Sequence, residues 1–318
     1  FTLLARWTLN QNGVIYGVAF DDSFSVRHMR AEDEETAGKF RTSKYVDSDI
    51  SEVYAHIIDD LKNSKTVLLT GTPCQISGVC KYLKVKRINT EKLYTCDNIC
   101  HGVPSRKIWE DYIKILKTKY IASDDEITHI NMRSKKVSWR EQVLDVRLKK
   151  GSVDSVISTF SFNKFFLSLY GNRPSCFHCR YTSYKRPGDF SLGDFWTGEK
   201  ANLPFDIESG VNVVLVNTAK GQQLFDSLKG QFDFKSVTRQ ECWQPHLEYS
   251  AKPPKNRQKF WQEYLAASDS EKEAVLRKYM KGSMITRIIR TLSPFLRKTG
   301  LYNLAGKMYK LLIVRKKN

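Results

Sequence analysis

Two cysteines, Cys176 and Cys179, stand three positions apart in the stretch RPSCFHCRYTSYKRPGDFSLGDFW. Such a pair can face one metal, form a redox dithiol or do nothing. A thiolate metal site needs about four ligands. The chain holds seven cysteines, at positions 74, 80, 96, 100, 176, 179 and 242. Cys74 lies in GTPCQ and Cys100 in NICHG, and each follows a strand-like run. In a parallel sheet, loops at the carboxyl ends of neighbouring strands gather on one edge. Cys74 and Cys100 can therefore approach each other. With Cys176 and Cys179 they make four soft ligands, suited to an iron–sulfur cluster or to zinc. A helix starting beside Cys74 would stabilise its thiolate. The residues alone leave metal and no metal both open for Cys176 and Cys179. No thioredoxin-like strand precedes CFHC, and His178 reads as an exposed spacer. Cys80, on an apolar helix face, and Cys242, beside Trp243, read as small buried residues. Cys96 is either buried too or a substitute ligand on the Cys100 loop.

The elements that must position these residues alternate between strand and helix. The first 20 residues read as helix, turn and strand, and SVRHMRAED alternates as a half-solvated strand does. VYAHIIDDLKN has helical spacing. In KTVLLTGTPCQISGVCKYLK, residues 67–70 are the strand, Gly71 to Pro73 the turn, and a helix runs from Gln75. KLYTCDNICHGVPS repeats the scheme, and Ser105 is the expected N-cap of the helix in SRKIWEDYIKILKTKY. This is a mixed α/β pattern with a parallel strand-loop-helix core. ITHINMR, EQVLDVRLKK and VDSVIST then read as an inserted antiparallel sheet with a hairpin turn at 149–151. FNKFFLSLYGN is an aromatic helix, and GVNVVLVNTAKGQQLFDSLKG returns to strand then helix. The segment with Pro245, Pro253 and Pro254 reads as a linker, so the expected division is 1–244 and a basic helical extension, 245–318.

A chain of 318 residues, 41% hydrophobic, can bury a sizeable core. No apolar run reaches the length of a spanning helix, and no secretory signal opens the chain. An odd number of cysteines without that signal points to a reducing cytoplasm. The net charge is +18, but residues 271–318 carry 13 Lys or Arg against 2 Asp or Glu, so +11 of it sits in the tail. That tail interleaves its cations with Ile, Leu, Phe and Met and shows no nucleic-acid motif, so nucleic acid is a weak reading. An interfacial helix pair on anionic lipid, broken at Pro294, and a helical appendage with solvated cations stay equally open. Phe1 falls inside a domain-like pattern, and a further N-terminal segment is expected before it.

FRTSKYVDSDI, VLLTGTPCQISGV, DNICHGVPS, NRPSCFHCRYTSYKRPGDFSLGDFWTGEK and GVNVVLVNT together resemble the coenzyme F420 hydrogenase/dehydrogenase beta subunit family, from about Phe1 to Thr218. The resemblance implies an iron–sulfur flavoprotein that binds FAD and a 4Fe-4S cluster. It carries the cluster ligands onto Cys74, Cys100, Cys176 and Cys179. It also implies a preceding ferredoxin-like domain in many members, and ICHGVPS with LGDFW resembles bacterial members encoded among polysaccharide-synthesis genes. A nickel catalytic subunit would be another chain.

A flavin site needs backbone N–H groups and small residues near the pyrophosphate, and polar groups at the isoalloxazine edge. Thr70, Gly71, Thr72 and Gln75, beside Cys74, fit the first need. Ser43, Lys44 and Tyr45 of RTSKY fit the second, with Lys44 placed to stabilise reduced flavin. Asp194 either binds flavin hydroxyls, closes the cluster side or caps a turn. No G-x-G-x-x-G occurs, so a nicotinamide site is not supported. The expected activity passes electrons from a ferredoxin-type donor through the cluster and FAD to an unidentified small organic acceptor. The competing expectation is a zinc-stapled scaffold protein of polysaccharide synthesis whose tail binds membrane.

Overall fold

The computed structural model describes residues 1–141 and 143–280, with the side chains of residues 199 and 200 left aside. The basic tail from 281 onward, and with it the lipid-binding reading, lies outside the described residues. Two compact units divide the chain, Phe1–Lys259 and a second beginning at Phe260. Among the described residues no helix is long and apolar enough to cross a membrane.

In chain order the first unit runs α1 (Thr2–Asn10), β1 (Val14–Phe20), β2 (Val26–Ala31), α2 (Glu34–Gly38), α3 (Val53–Lys62), β3 (Val67–Gly71), α4 (Pro73–Val85), β4 (Leu93–Asn98) and α5 (Arg106–Lys119). It continues with β5 (Ile127–Ser134), β6 (Val143–Leu148), α6 (Asp154–Thr159), α7 (Phe162–Ser168), β7 (Phe190–Asp194), β8 (Asn212–Val216) and α8 (Ala219–Leu228). α9 (Arg257–Ala266) leads into the second unit, where α10 (Lys272–Met280) follows. There Phe260 stacks on Tyr264, and Lys278 pairs with Glu263.

The main sheet has the order β2-β1-β3-β4-β7-β8. β1, β3, β4 and β7 are parallel neighbours, while β2 and β8 close the two edges antiparallel. Side chains alternate across a strand, so a strand covered on both faces must be apolar throughout. VLL of β3 obeys this rule. Leu68, with Ile15 of β1, joins a core with Leu4 of α1 and Leu224 of α8. Val67 and Leu69, with Val14 and Tyr16, join a second core with Ile57 of α3 and Ile76 and Val79 of α4. Helices thus cover both faces, and the carboxyl ends of β3, β4 and β7 are left to build a site. Gly17 of β1 is small for a reason: a Cβ there would lie 2.5 Å from the Phe40 ring.

Two local expectations need correction. VDSVIST is α6, not a third antiparallel strand, and the inserted sheet is β5–β6 with a single further bridge, Arg147 to Ser152. Its buried positions are Val153, Ile157 and Phe160, a helical spacing that the run's alternation obscured. α4 starts at Pro73, earlier than Gln75, because proline at the first helical position pre-sets the required φ. Ser105 occupies the N-cap position of α5 as expected, with no capping bond from its side chain.

Candidate functional site

β3 and β4 lie side by side, so the loops that follow them, bearing Cys74 and Cys100, start on one sheet edge. Cys74 is in the first turn of α4 and exposed. Its Sγ lies 3.2 Å from Thr72 Oγ1 and 3.9 Å from Arg173 Nη2. The Cys176 turn is brought in by strand-like pairing with the loop after Cys100. Ser105 N–H donates to Gly171 O at 3.0 Å, Arg173 N–H donates to Val103 O at 3.2 Å, and Pro104 bridges to Asn172. Gly102, at φ +98°, lies close against this turn, with Cys176 Cβ only 3.2 Å from where its own Cβ would be.

Pro174–His178 forms a short 3-10 helix with Cys176 at its centre and Cys179 at its C-cap. Phe177 between them is buried, and its carbonyl accepts from Ser250 Oγ at 2.9 Å. Downstream, the Arg186 guanidinium donates to Asp97 of β4, to Tyr181 O and to Asn98 O. That clamp ties the Cys179 loop to the strand leading to Cys100.

Burial pushes the Cys100 thiol up to about 12, and charge on Cys176, Cys74 and Cys179 opposes its ionisation further. Burial also raises Cys179, with Cys74 and Cys176 acting in the same direction. The four sulfurs are therefore electrostatic neighbours. Gly102 N–H donates to Cys100 Sγ at 3.3 Å. Among the described residues, no group of three or more His, Cys, Asp or Glu is set to hold a single metal ion. All seven cysteines are free thiols. Cys96 is buried in the α1–α8 core, and burial, not a neighbouring cysteine, lifts it to about 12. Cys242 is buried in another apolar cluster, Cys80 is packed on the α3–α4 core, and His178 is exposed.

Beside the thiols a cavity of about 590 Å³ runs along the carboxyl edge of the sheet. Its volume lies in the range that takes a small-molecule ligand or cofactor. Ser43, Lys44, Tyr45, Thr70, Gly71, Thr72, Gln75 and Asp194 all line it, as does Cys100. Several of these groups are already committed to protein partners. Gln75 Oε1 accepts from Thr72 N–H at 3.0 Å, the reciprocal half of a capping box, and its Nε2 donates to Ser48 Oγ at 2.9 Å. Ser48 reaches His28 Nδ1 at 3.1 Å, and His28 Nε2 reaches Thr70 O at 3.0 Å. A carbonyl only accepts, so Nε2 carries the proton and Nδ1 accepts from Ser48. This chain of bonds fixes the β3–α4 turn.

Lys44 turns its ammonium onto the carbonyls of Lys39 and Arg41, at 2.6 and 2.8 Å, and desolvation lowers it to about 7. Tyr45 stacks on Phe166, and burial pushes its hydroxyl up to about 12. Asp194 accepts from Arg133 Nη2 at 2.9 Å.

Sequence reasoning passed over Arg186, His28 and Ser48, and also Arg133 and Trp139 on the cavity wall. GDFW pointed to Trp196, but no local pattern marks the others, because each acts across a long stretch of chain.

A family described as the C terminus of the coenzyme F420 hydrogenase/dehydrogenase beta subunit matches residues 64–240, more than half of the chain. Among solved structures, the chain is similar to one from the xenon-derivatized F420-reducing NiFe hydrogenase complex of Methanosarcina barkeri. The identity is 14% and the TM-score 0.44, covering 72% of this chain and 71% of that one. No curated protein matches it.

Proposed function

The chain belongs to the coenzyme F420 hydrogenase/dehydrogenase beta subunit family, an oxidoreductase family, and from that premise we propose an electron-transfer role for its four-thiol site. In this reading Cys74, Cys100, Cys176 and Cys179 hold a 4Fe-4S cluster, and the adjoining cavity holds FAD. Electrons arrive from a ferredoxin-type donor, or from a ferredoxin-like domain of the same protein, and leave to a small organic acceptor. The observation that carries the reading is the gathering of four thiols, from three separate loops, around Cys100, which itself lines the cavity.

The donor set fits such a cluster in number and chemistry. Four thiolates on one zinc at ~2.3 Å would draw their sulfurs to within about 3.8 Å of each other. No described group is set that way. A cubane interposes its own irons and sulfides and so accepts a wider spacing. When bound, the cluster supplies one-electron transfer and the flavin couples it to two-electron chemistry.

The chain's own residues do the rest. Ligation requires Cys100 to give up its proton, and Gly102 N–H then faces the resulting anion. Arg173, paired with Asp47 at 3.2 Å, extends a cationic group toward Cys74. Exposed Cys74 offers the donor an approach to the site. Thr70, Gly71 and Thr72 present small groups at the cavity wall beside Cys100, which keeps cofactor and thiols adjacent.

Protein purified without oxygen tests this. It should be brown and carry flavin absorbance bands. Colourless protein after supply of iron, sulfide and FAD contradicts the proposal.

A further inference from the structure

Two guanidinium groups reach the turn that carries Cys176. Arg173 is the N-cap of that turn. Its Nη2 lies 3.9 Å from Cys74 Sγ, and its Nη1 pairs with Asp47 at 3.2 Å. Desolvation works against its charge, but Asp47, Cys74 and Cys176 outweigh that and raise it. Arg257 comes from α9, beyond the residues that match the family. Its Nη2 donates to Asn172 O at 2.7 Å, and its guanidinium carbon sits 5.4 Å from the centre of the Phe177 ring. Asn172 precedes the turn and Phe177 directly follows Cys176, so Arg257 lies against the turn. Desolvation lowers Arg257, and charge on Cys176 opposes that.

The turn does not need these side chains for its shape. Arg173 N–H donates to Val103 O, Cys176 N–H donates to Arg173 O, and Ser250 Oγ donates to Phe177 O. What the guanidinium groups add is charge. Four thiolates around one cluster make a negative site, and each electron the cluster accepts adds one more negative charge. A nearby cation therefore favours the reduced form over the oxidised one. Arg173 is 37% exposed and shares its charge with Asp47, so water and the carboxylate screen part of its effect.

We propose that Arg173 and Arg257 raise the reduction potential of the cluster, Arg173 through Cys74 and Arg257 through Cys176. The step they bias is the uptake of one electron from the donor, with no proton moved and no bond made or broken. Both act through the thiolates, and neither is a ligand. The inference rests on the reading of the four thiols as cluster ligands.

The full chain, purified without oxygen and carrying its cluster, is titrated with dithionite in the presence of redox mediators and followed by EPR. Arg173→Gln and Arg257→Gln should each lower the ratio of reduced to oxidised cluster at a fixed potential about 3- to 10-fold, a downward shift of the midpoint by about 30–60 mV. Arg173→Lys and Arg257→Lys keep the charge on a flexible stem and should stay closer to wild type than the glutamine variants do. Where a glutamine variant takes up no cluster, the same comparison is read on iron uptake. Recovery in the lysine variant then upholds the charge role, and equal loss in both overturns it. Glutamine variants at the wild-type midpoint, or lysine and glutamine variants shifted alike, overturn the inference and leave the cluster reading standing. Wild type that binds no iron overturns both.

Discussion

Arg186 Nη2 lies 2.5 Å from Asp97 Oδ1, in an ion pair whose side chains are 1% and 0% exposed. Asp97 also accepts from Gly188 N–H at 3.0 Å, and Arg186 also donates to the carbonyls of Tyr181 and Asn98. Removing one partner of such a pair leaves the other charge buried and alone, which costs about 3–5 kcal/mol. Asp97→Asn and Arg186→Leu should each lower stability by that order in urea unfolding. Because the pair joins β4 to the loop after Cys179, both should also raise the reactivity of Cys179 toward a thiol reagent. A loss below about 1 kcal/mol, the level of an exposed pair, contradicts this role.

Gly102 predicts a second, sharper effect. Its φ of +98° disfavours any side chain, and a Cβ there would collide with the Asn172 amide and crowd Cys176. Gly102→Ala should destabilise by roughly 1–3 kcal/mol. Gly38→Ala is the control, because a Cβ at Gly38 meets nothing within 4 Å. It should be neutral or stabilising by less than about 1 kcal/mol. Similar losses in both variants would show that the crowding at Gly102 does not matter.

His28 predicts a pH dependence. Burial lowers it from 6.5 to about 4. As pH falls below 6.5 the unfolded chain takes up this proton first. The stability from neutral His28 is therefore fully present above 6.5 and is lost as pH falls toward 4. Unfolding free energies of wild type and His28→Gln should differ by roughly 2–3 kcal/mol more at pH 7 than at pH 4.5. A difference that stays flat across that interval argues for a solvated histidine.

Lys44 should titrate near neutrality. Desolvation, the cause of its shift to about 7, acts despite the carbonyls around its ammonium. The carbon-13 resonance of reductively methylated Lys44 should shift with a midpoint near pH 7, and Lys44→Gln should remove that signal. A midpoint at the ordinary value of 10.5 would place the amine in water.

The parallel core was legible because each of its units is local. VLLTGTPCQISGV carries strand, turn and helix within 13 residues, and the two apolar faces of β3 follow from its uninterrupted run. The convergence of Cys74 with Cys100 followed from one rule about strand ends. The α6 segment was not legible, since six residues of mixed polarity support either period. Nor was the wiring behind the site. Arg186 meets Asp97 across 89 residues, Arg133 meets Asp194 across 61 and His28 meets Thr70 across 42. No window of sequence contains both ends of such a bond, and a buried arginine looks like a surface one until its partners are known. Lys44 shows the same limit from another side: RTSKY placed it at the cavity, but not the loop carbonyls that hold its ammonium.

The central claim is that four thiols and one cavity form a single redox site. Iron, acid-labile sulfide, zinc and FAD should be quantified per chain in protein prepared without oxygen, for wild type and for Cys100→Ala. The account predicts about four irons, about four sulfides and one FAD in wild type, with iron and sulfide falling together in the variant. One zinc per chain, with neither iron nor FAD, would contradict it.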